Sequence, residues 1–256
     1  MAAAIEEFAP LGLQESYDNA GLAVGRPDAE VHKALLAVDV TEEVIEEAAA
    51  EGCDIIITHH PVIFHPLKRL NSASYTERCV EQAVRRGIAL YAAHTNLDST
   101  PEGMSWRVGH MLGLESMRVL EPAATGGGAG FGVVGELPTE LPTEEFMRHV
   151  MRRFCVQALR HGDIVRPTVR RVAICTGAGG SLIDEALAAE ADIYLTADLR
   201  YNDFMRHEGR MILVDMGHFE SEYCAIEILF DILSKKLPIF AIRKSVRSRN
   251  PVNYMV

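Results

Sequence analysis

Short runs of apolar residues alternate with amphipathic stretches along most of this chain, a pattern that predicts an α/β fold. In the first half, buried strands are predicted at Lys33–Val40, Ile55–Thr58 and Ile88–Ala93, which are rich in small and β-branched apolar residues. A helix capped by Thr41 and a second helix over Tyr75–Arg86 are predicted between these strands. The order of strand, helix and strand indicates a βαβ unit with parallel strands.

The second half of the chain repeats this alternation after a glycine-rich stretch at residues 126–130. Amphipathic helices are predicted from Thr143 through about Leu159, over residues 182–190, from about Asn202, and as a long final helix that ends near Lys236. The predicted strands of this half are Phe131–Leu137, Val169–Cys175, Ile193–Thr196, Met211–Asp215 and Ile239–Ile242.

An internal repeat relates the two halves. Residues 33–60 align with residues 171–198 at an offset of 138 without gaps, and both segments have the order strand, helix, strand. Further along, His94 aligns with His218 at an offset of 124. We therefore predict an α/β protein of two similar lobes, residues 1–125 and 126–256, with the C-terminal helix packing back on the first lobe. Two facing lobes would bring their strand ends to a common cleft.

Composition and charge narrow the class of protein. The 256 residues carry a net charge of -11, which argues against non-specific nucleic-acid binding. Five scattered cysteines without a CxxC motif are typical of a reduced, cytosolic protein. The sequence has no 18-residue apolar run, and acidic residues stand where an export signal would be apolar. We expect a cytoplasmic protein.

Histidine and carboxylate side chains follow two of the predicted parallel strands. His59 and His60 come directly after one strand, and Pro61 ends it because proline cannot donate a ladder hydrogen bond. His94 and Asp98 follow the next strand. Open α/β sheets build their sites at the carboxyl ends of strands, and histidine is a common metal ligand. An isolated His-His pair would more often be one exposed and one locally bonded side chain, but the recurrence of such residues favours a site.

A further pair lies at the start of the predicted C-terminal helix. His218 and Glu222 are four residues apart and therefore share one helix face. Together with the first-half residues they form a donor set that suits zinc, manganese, iron or nickel. A bridging carboxylate between two ions would use all of these ligands. The glycine-rich loop of residues 177–180 is interpreted as a tight turn rather than an anion-binding nest, because its spacing fits no phosphate-binding motif.

Six motifs, in order along nearly the whole chain, resemble one known family: YDNAGLAVG, DIIITHHP, AAHTNLD, ADIYLTADLRYND, DMGHFESE and the terminal NPV. The family is that of the GTP cyclohydrolase 1 type 2 homologues, also called the NGG-one interacting factor three family. The resemblance implies two α/β lobes, a dinuclear metal centre in the cleft between them, and a ring-shaped hexamer. The metal ligands that it implies are His59, His60, Asp98, His218 and Glu222, with Glu222 as the bridge.

The leading functional hypothesis is a metal-dependent hydrolase of a small nucleotide-like substrate, with GTP ring opening implied by the resemblance. The alternatives are a metal-binding scaffold or regulatory interaction protein and a two-metal phosphoesterase. The resemblance places His94 near the metals as a non-ligand. His94 is therefore either a catalytic group that moves a proton or a residue that only orients Asp98. Because a metal ion can activate water, no serine or cysteine nucleophile is required.

Overall fold

The computed structural model describes residues 1–124 and 126–255, which form two compact units. The first unit comprises Met1–Thr100 and Ala225–Arg249, and the second comprises Pro101–Cys224 and the residues from Asn250 on. The boundary predicted at residue 125 and the predicted end of the second domain at residue 256 both lie outside the described residues. Within those residues, no helix is long and apolar enough to cross a membrane.

The described strands are numbered in chain order and are divided between two sheets. They are β1 (Gly21–Val24), β2 (Lys33–Ala37), β3 (Ile55–Thr58), β4 (Ala89–Ala92), β5 (Glu115–Pro122), β6 (Gly130–Pro142), β7 (Arg160–His161), β8 (Thr168–Ile174), β9 (Ile193–Thr196), β10 (Ile212–Asp215) and β11 (Ala241–Lys244).

The described helices are numbered in the same way, and three short 3₁₀ helices accompany them at Leu11–Leu13, Gly180–Leu182 and Asp203–His207. The α-helices are α1 (Ala2–Glu6), α2 (Glu42–Ala50), α3 (Tyr75–Arg86), α4 (Thr95–Ser99), α5 (Met104–Met111), α6 (Thr143–Phe154), α7 (Ile183–Ala188), α8 (His218–Glu222) and α9 (Cys224–Lys236).

The first unit contains a five-stranded sheet in the order β1–β4–β3–β2–β11. All neighbours are parallel except β1, which runs antiparallel to β4. The inner strands are buried because apolar residues on one face of the sheet pack against α2 and α3 in one cluster, which includes Leu35, Ile56, Val44 and Ala83. The carboxyl ends of β2, β3 and β4 consequently meet at one edge of this sheet.

Local sequence signals set the ends of the helices that cover this sheet. The Thr41 side chain accepts a hydrogen bond of 3.1 Å from Val44 N–H at the start of α2. Ser74 caps α3 in the same way through Glu77 N–H. Gly87 ends α3 with φ +68°, a left-handed conformation that glycine adopts without steric cost. The predicted helix over Tyr75–Arg86 is confirmed at both ends.

The second unit contains a six-stranded sheet in the order β5–β6–β8–β9–β10–β7. The central strands β8, β9 and β10 are parallel, and the outer strands are antiparallel to their neighbours. One cluster of buried residues, among them Ala173, Tyr194, Leu213 and Ile183, forms the core against α7. Both units are therefore α/β, and the predicted fold class is confirmed.

The internal repeat is visible in the register of the parallel strands. Ala34 pairs with Ile55 in the first unit, and Val172 pairs with Ile193 in the second, so both strands keep the predicted offset of 138. An aspartate directly before the second strand makes equivalent hydrogen bonds in both copies of the repeat. Asp54 accepts hydrogen bonds from the N–H groups of residues 32 and 33, and Asp192 accepts them from residues 170 and 171.

The third strand of each repeat follows a slightly different offset. Ile55 pairs with Ala89, and Ile193 pairs with Ile212, which makes the offset between these strands 123. The value of 124 predicted from the histidines is therefore one residue too large for the strands. One additional residue between β10 and His218 accounts for the difference.

Several elements differ from the prediction. A strand, β1, lies in the DNAGLAVG segment that the turn signal obscured, and β5 is a largely exposed edge strand. The helix predicted from about Asn202 is wrong, because only a 3₁₀ helix is present at Asp203–His207. The long C-terminal helix begins as the separate one-turn helix α8, followed by α9 from Cys224.

Candidate metal centre

The carboxyl edge of the first sheet carries three histidines. The strand β3 ends at Thr58, directly before His59 and His60, and β4 ends two residues before His94. Because β3 and β4 are parallel neighbours, their ends bring the three imidazole rings together, with centroids 5.0 to 5.5 Å apart. Each ring offers one nitrogen, and these atoms all lie within 4.8 Å of one another. We call these three residues the histidine cluster.

His59 is fully buried and its tautomer follows from its hydrogen bond. Its Nδ1 lies 2.8 Å from the carbonyl oxygen of Ala93, which can only accept, so Nδ1 carries the proton and donates. In the neutral ring, Nε2 is then an acceptor. It faces Asp98 Oδ1 at 3.8 Å. Two acceptors that face each other in a buried place are stabilised by a cation near them, which is the environment of a metal ligand.

His60 and His94 are each held by a carboxylate. His60 Nδ1 donates to Asp39 Oδ1 at 2.8 Å, and His94 Nδ1 donates to Asp18 Oδ1 at 2.7 Å. Histidines that ligate metals commonly donate their other ring nitrogen to a carboxylate or a carbonyl, which fixes the ring and raises its basicity as a ligand. All three members of the histidine cluster have such a partner.

Asp18 is anchored as firmly as the ring that it holds. Its side chain is fully buried and also accepts hydrogen bonds from the Thr95 backbone N–H, at 3.1 Å, and from the Thr95 hydroxyl. Burial alone would raise the pKa of Asp18, but the hydrogen bonds from His94 and Thr95 outweigh it and lower the pKa to about 2. Asp18 therefore remains ionised at neutral pH.

Asp98 lies on α4, the one-turn helix that begins directly after His94. Its side chain is mostly buried, and its carboxylate points to His59 as described above. The structure therefore brings His59, His60, His94 and Asp98 to the same edge of the first sheet. The resemblance implied that His94 lies near the metal ligands without being one, and in the structure its ring belongs to the same cluster as His59 and His60. Its role as a non-ligand stays a prediction.

The second unit carries the other predicted pair. Glu222 is buried, and its Oε2 lies 2.9 Å from His218 Nε2 across one turn of α8. On the opposite side of the ring, His218 Nδ1 donates to Asp198 Oδ2 at 2.8 Å. The imidazole therefore lies between two carboxylates. With one proton on Nδ1, the short contact to Glu222 requires a further cation, either a second proton or a metal ion.

The glycine-rich loop makes room for Glu222. Gly177 has φ +64°, and a Cβ added there would overlap Glu222 Oε1 and lie 3.2 Å from its Cδ. The Gly177 N–H donates to Ser221 Oγ at 3.0 Å, and this hydroxyl donates to the carbonyl of His218. This loop therefore fixes the position of the His218–Glu222 pair, a role that its spacing did not reveal.

The donor groups of each unit suit a divalent metal ion. They are imidazole nitrogens whose opposite nitrogens are bound, together with carboxylates that face them, and such donors suit first-row transition metals. The sequence analysis missed the carboxylates Asp18, Asp39 and Asp198 as partners of these histidines. Asp39 and Asp198 follow β2 and β9 within two residues. Because functional residues of α/β sheets lie at the carboxyl ends of strands, both could have been predicted. Asp18 lies on a loop before β1, and no strand-end signal marks it.

The other six histidines lie outside the candidate groups of metal ligands among the described residues. His110 pairs with Glu102 on the surface, and the His161 ring contacts the carbonyl of Gly162. The remaining ones are His32, His65, His149 and His207.

Known proteins resemble this chain in sequence. The family model described as Duf34/NIF3 (NGG1p interacting factor 3) matches residues 1–251. A Lactococcus lactis relative named GTP cyclohydrolase 1 type 2 homolog is 34% identical over 96% of this chain and 95% of its own. A Clostridium perfringens relative of the same name is 33% identical over 86% of this chain and 84% of its own.

Solved structures share the fold. A Bacillus cereus protein related to NIF3 superposes with a TM-score of 0.89 at 23% identity, covering 99% of this chain and 97% of that one. HcgD from Methanocaldococcus jannaschii, in its reduced form, has a TM-score of 0.79 at 28% identity over 94% of each chain.

Proposed function

The chain belongs to the Duf34/NIF3 family, and from this premise we propose that it is a metal-dependent hydrolase of a small nucleotide-like substrate. The observation that carries the proposal is the histidine cluster, three imidazoles with ring nitrogens within 4.8 Å, each held by a carboxylate or a carbonyl. A purely structural role would not require three oriented imidazoles at one strand edge. Functional sites of open α/β sheets lie at such edges.

The proposed cofactors are two divalent ions, which His59, His60, Asp98, His218 and Glu222 would hold. The family resemblance implies this ligand set, and the contacts around these side chains support it. A bound divalent ion would supply Lewis-acid polarisation and an acidified water for hydrolysis. The ion could be zinc, manganese, iron or nickel, since all four accept imidazole and carboxylate ligands.

The chain's own residues supply orientation and proton transfer. We assign His94 Nε2 as the atom that takes a proton from the attacking water and gives it to the leaving group. The hydrogen bond from Nδ1 to Asp18 fixes this ring, and the ionised carboxylate stabilises positive charge on the imidazole when Nε2 holds the proton. His59 and His60 are held by Ala93 and Asp39 in the same way, so all three rings are oriented before substrate arrives.

The substrate hypothesis derives from the names of the relatives. Several are called GTP cyclohydrolase 1 type 2 homolog, and ring opening of GTP is a hydrolysis that this donor set could support. The test is a screen of the metal-loaded protein against nucleotides, phosphodiesters and cyclic amides, with metal-free protein as the control. Metal-dependent turnover of a nucleotide supports the proposal. Turnover of phosphodiesters alone would instead identify a two-metal phosphoesterase.

A second candidate function is favoured by the family description, NGG1p interacting factor 3, which names an interaction rather than a reaction. In this case the metal ions would stabilise a binding protein. Full metal occupancy without turnover in the screen would support that function and contradict the hydrolase. We also propose that the chain forms a closed homo-oligomer, a hexamer, as the family resemblance implies.

A further inference from the structure

Two exposed aromatic side chains lie beside the histidine cluster. Tyr17 is 63% exposed and Phe64 is 37% exposed. Their ring centroids are 6.2 Å apart with an interplanar angle of 66°, and the Phe64 centroid is 5.9 Å from that of His94. Aromatic rings normally contribute large buried areas to a core, so two rings in contact at the surface of a site give up that contribution. Single exposed apolar residues are common, whereas contiguous exposed apolar side chains can mark a ligand-binding surface.

The loops that carry the two rings are held together. Asn19 Nδ2 donates to the Ile63 carbonyl at 2.7 Å, which joins the loop of Tyr17 to the loop of Phe64. On the Tyr17 side, the backbone N–H of Ala20 donates to Gln14 Oε1 at 3.0 Å. Asp18, the residue directly after Tyr17, is bound to His94 and Thr95 as described above. The aromatic pair is therefore positioned relative to the histidine cluster without any ligand.

The charges nearby discriminate between the parts of a substrate. Asp18 and Asp39 contact His94 and His60, and Asp98 faces His59, so the histidine cluster beside the aromatic pair is rich in carboxylates. The metal ions proposed for this cluster would attract the anionic phosphates of a nucleotide, which leaves its neutral planar ring for the aromatic pair. Aromatic faces bind the flat surface of any nucleobase with little dependence on its sequence of donors and acceptors.

We propose that Tyr17 and Phe64 form a stacking platform for a planar heteroaromatic ring, such as a nucleobase, of the molecule that reaches the histidine cluster. This inference rests on the proposed function and specifies which part of the substrate these two residues recognise. They bind and position the ring and take no part in the chemistry.

The test uses neutral nucleosides, which lack phosphate and therefore separate ring binding from binding to metal ions. Guanosine, adenosine and uridine are titrated into the purified protein by saturation-transfer NMR, with ribose as the ring-free comparison. Tyr17→Leu and Phe64→Leu remove the aromatic face but keep apolar bulk. We expect each to raise the Kd of a bound nucleoside by roughly 5- to 100-fold, the range that loss of one base–aromatic stack produces.

Phe240→Leu is the matched control. Phe240 is half-buried and directly precedes β11, at the amino edge of the same sheet, away from the histidine cluster. This variant should bind nucleosides like the wild type. Tyr17→Phe and Phe64→Tyr keep an aromatic face and should also retain binding, which guards against a variant that fails only because it folds poorly.

The outcomes separate this inference from the proposed function. No binding of any of the three nucleosides at millimolar concentration, equal binding of ribose, or unchanged affinity in both leucine variants would overturn the stacking platform. Metal uptake is measured in parallel on the same samples. A protein that takes up metal but binds no nucleoside contradicts only the platform. A protein that binds nucleosides through these rings but takes up no metal contradicts the proposed hydrolase.

Discussion

Substituting Gly177 by alanine tests whether the loop that surrounds Glu222 is essential for metal binding. Gly177 has φ +64°, and an added Cβ would overlap the Glu222 carboxylate. The overlap cannot be relieved without moving either this loop or Glu222, and Glu222 is only 4% exposed. We expect Glu222 to be displaced from His218, with a loss of metal affinity of about 10- to 100-fold, the usual effect of disturbing the support of a ligand.

Gly209→Ala is a closely matched control. Gly209 lies in the same unit, has φ +65°, and has open space where its Cβ would be. It should therefore lose only the conformational advantage of glycine, about 1–2 kcal/mol of unfolding free energy. Gly177→Ala should lose this amount and, in addition, about 1.5–3 kcal/mol for the disturbed charge-assisted hydrogen bond of Glu222.

The assay is a titration of metal-free protein with Zn²⁺ or Mn²⁺ by calorimetry, together with thermal unfolding of each variant. The expected pattern is weakened metal binding in Gly177→Ala alone, with near wild-type binding in Gly209→Ala. Equal metal affinity in the two variants would refute the reasoning that Gly177 exists to make room for Glu222. If both variants lose stability and metal affinity to the same extent, backbone strain, not the overlap with Glu222, is responsible.

The remaining predictions concern catalysis, metal ligation, pH and assembly. His94→Asn should keep near wild-type metal content and lower turnover by roughly 10²–10⁴-fold, and loss of metal or full turnover would contradict the catalytic assignment. Glu222→Ala should lose both ions if this carboxylate is shared, whereas loss of one ion would exclude a bridge. The backbone hydrogen bond from His32 holds the pKa of Asp54 below its ordinary value of 3.8, so its stabilisation is present above that pH and is lost as pH falls through the lower folded pKa. Asp54→Asn should therefore make acid unfolding below about pH 4 less steep, as circular dichroism would show. Light scattering at micromolar concentration should give the mass of a hexamer, and a monomer would contradict that proposal.

Elements with strong local signals could be predicted from the sequence. The helix α3 has a serine cap, a clear apolar face and a glycine stop, and β9 is a short β-branched and aromatic run before a polar end. The repeat was also visible, because both copies bury the same positions and keep an aspartate that binds two backbone N–H groups. In each case the determining interactions are within or close to the element.

Elements that depend on distant partners were missed. The strand β5 exposes most of its residues at the edge of its sheet, so it lacks the apolar alternation of a half-buried strand, and pairing with β6 defines it. The helix predicted through about Leu159 ends at Phe154, where Cys155 adopts φ +54° without the glycine that would have signalled it. Local pattern carries no information on such contacts.

The candidate site likewise has one part that the sequence predicted and one part that it did not. The histidines were predictable because they follow buried strands, and parallel strands deliver their ends to one edge. The hydrogen bonds that orient them were not, because Asp18 is 76 residues away from His94 in sequence. The role of Gly177 was equally hidden, since it depends on the position of Glu222 in three dimensions.

The account's central claim is a centre of two divalent ions, and elemental analysis of the protein tests it most directly. The purified chain, loaded with excess divalent metal and then freed of unbound ions by gel filtration, is measured by inductively coupled plasma mass spectrometry against protein concentration from amino-acid analysis. We predict about two ions per chain, the number that the proposed set of five ligands would hold. One ion or none per chain would contradict the account.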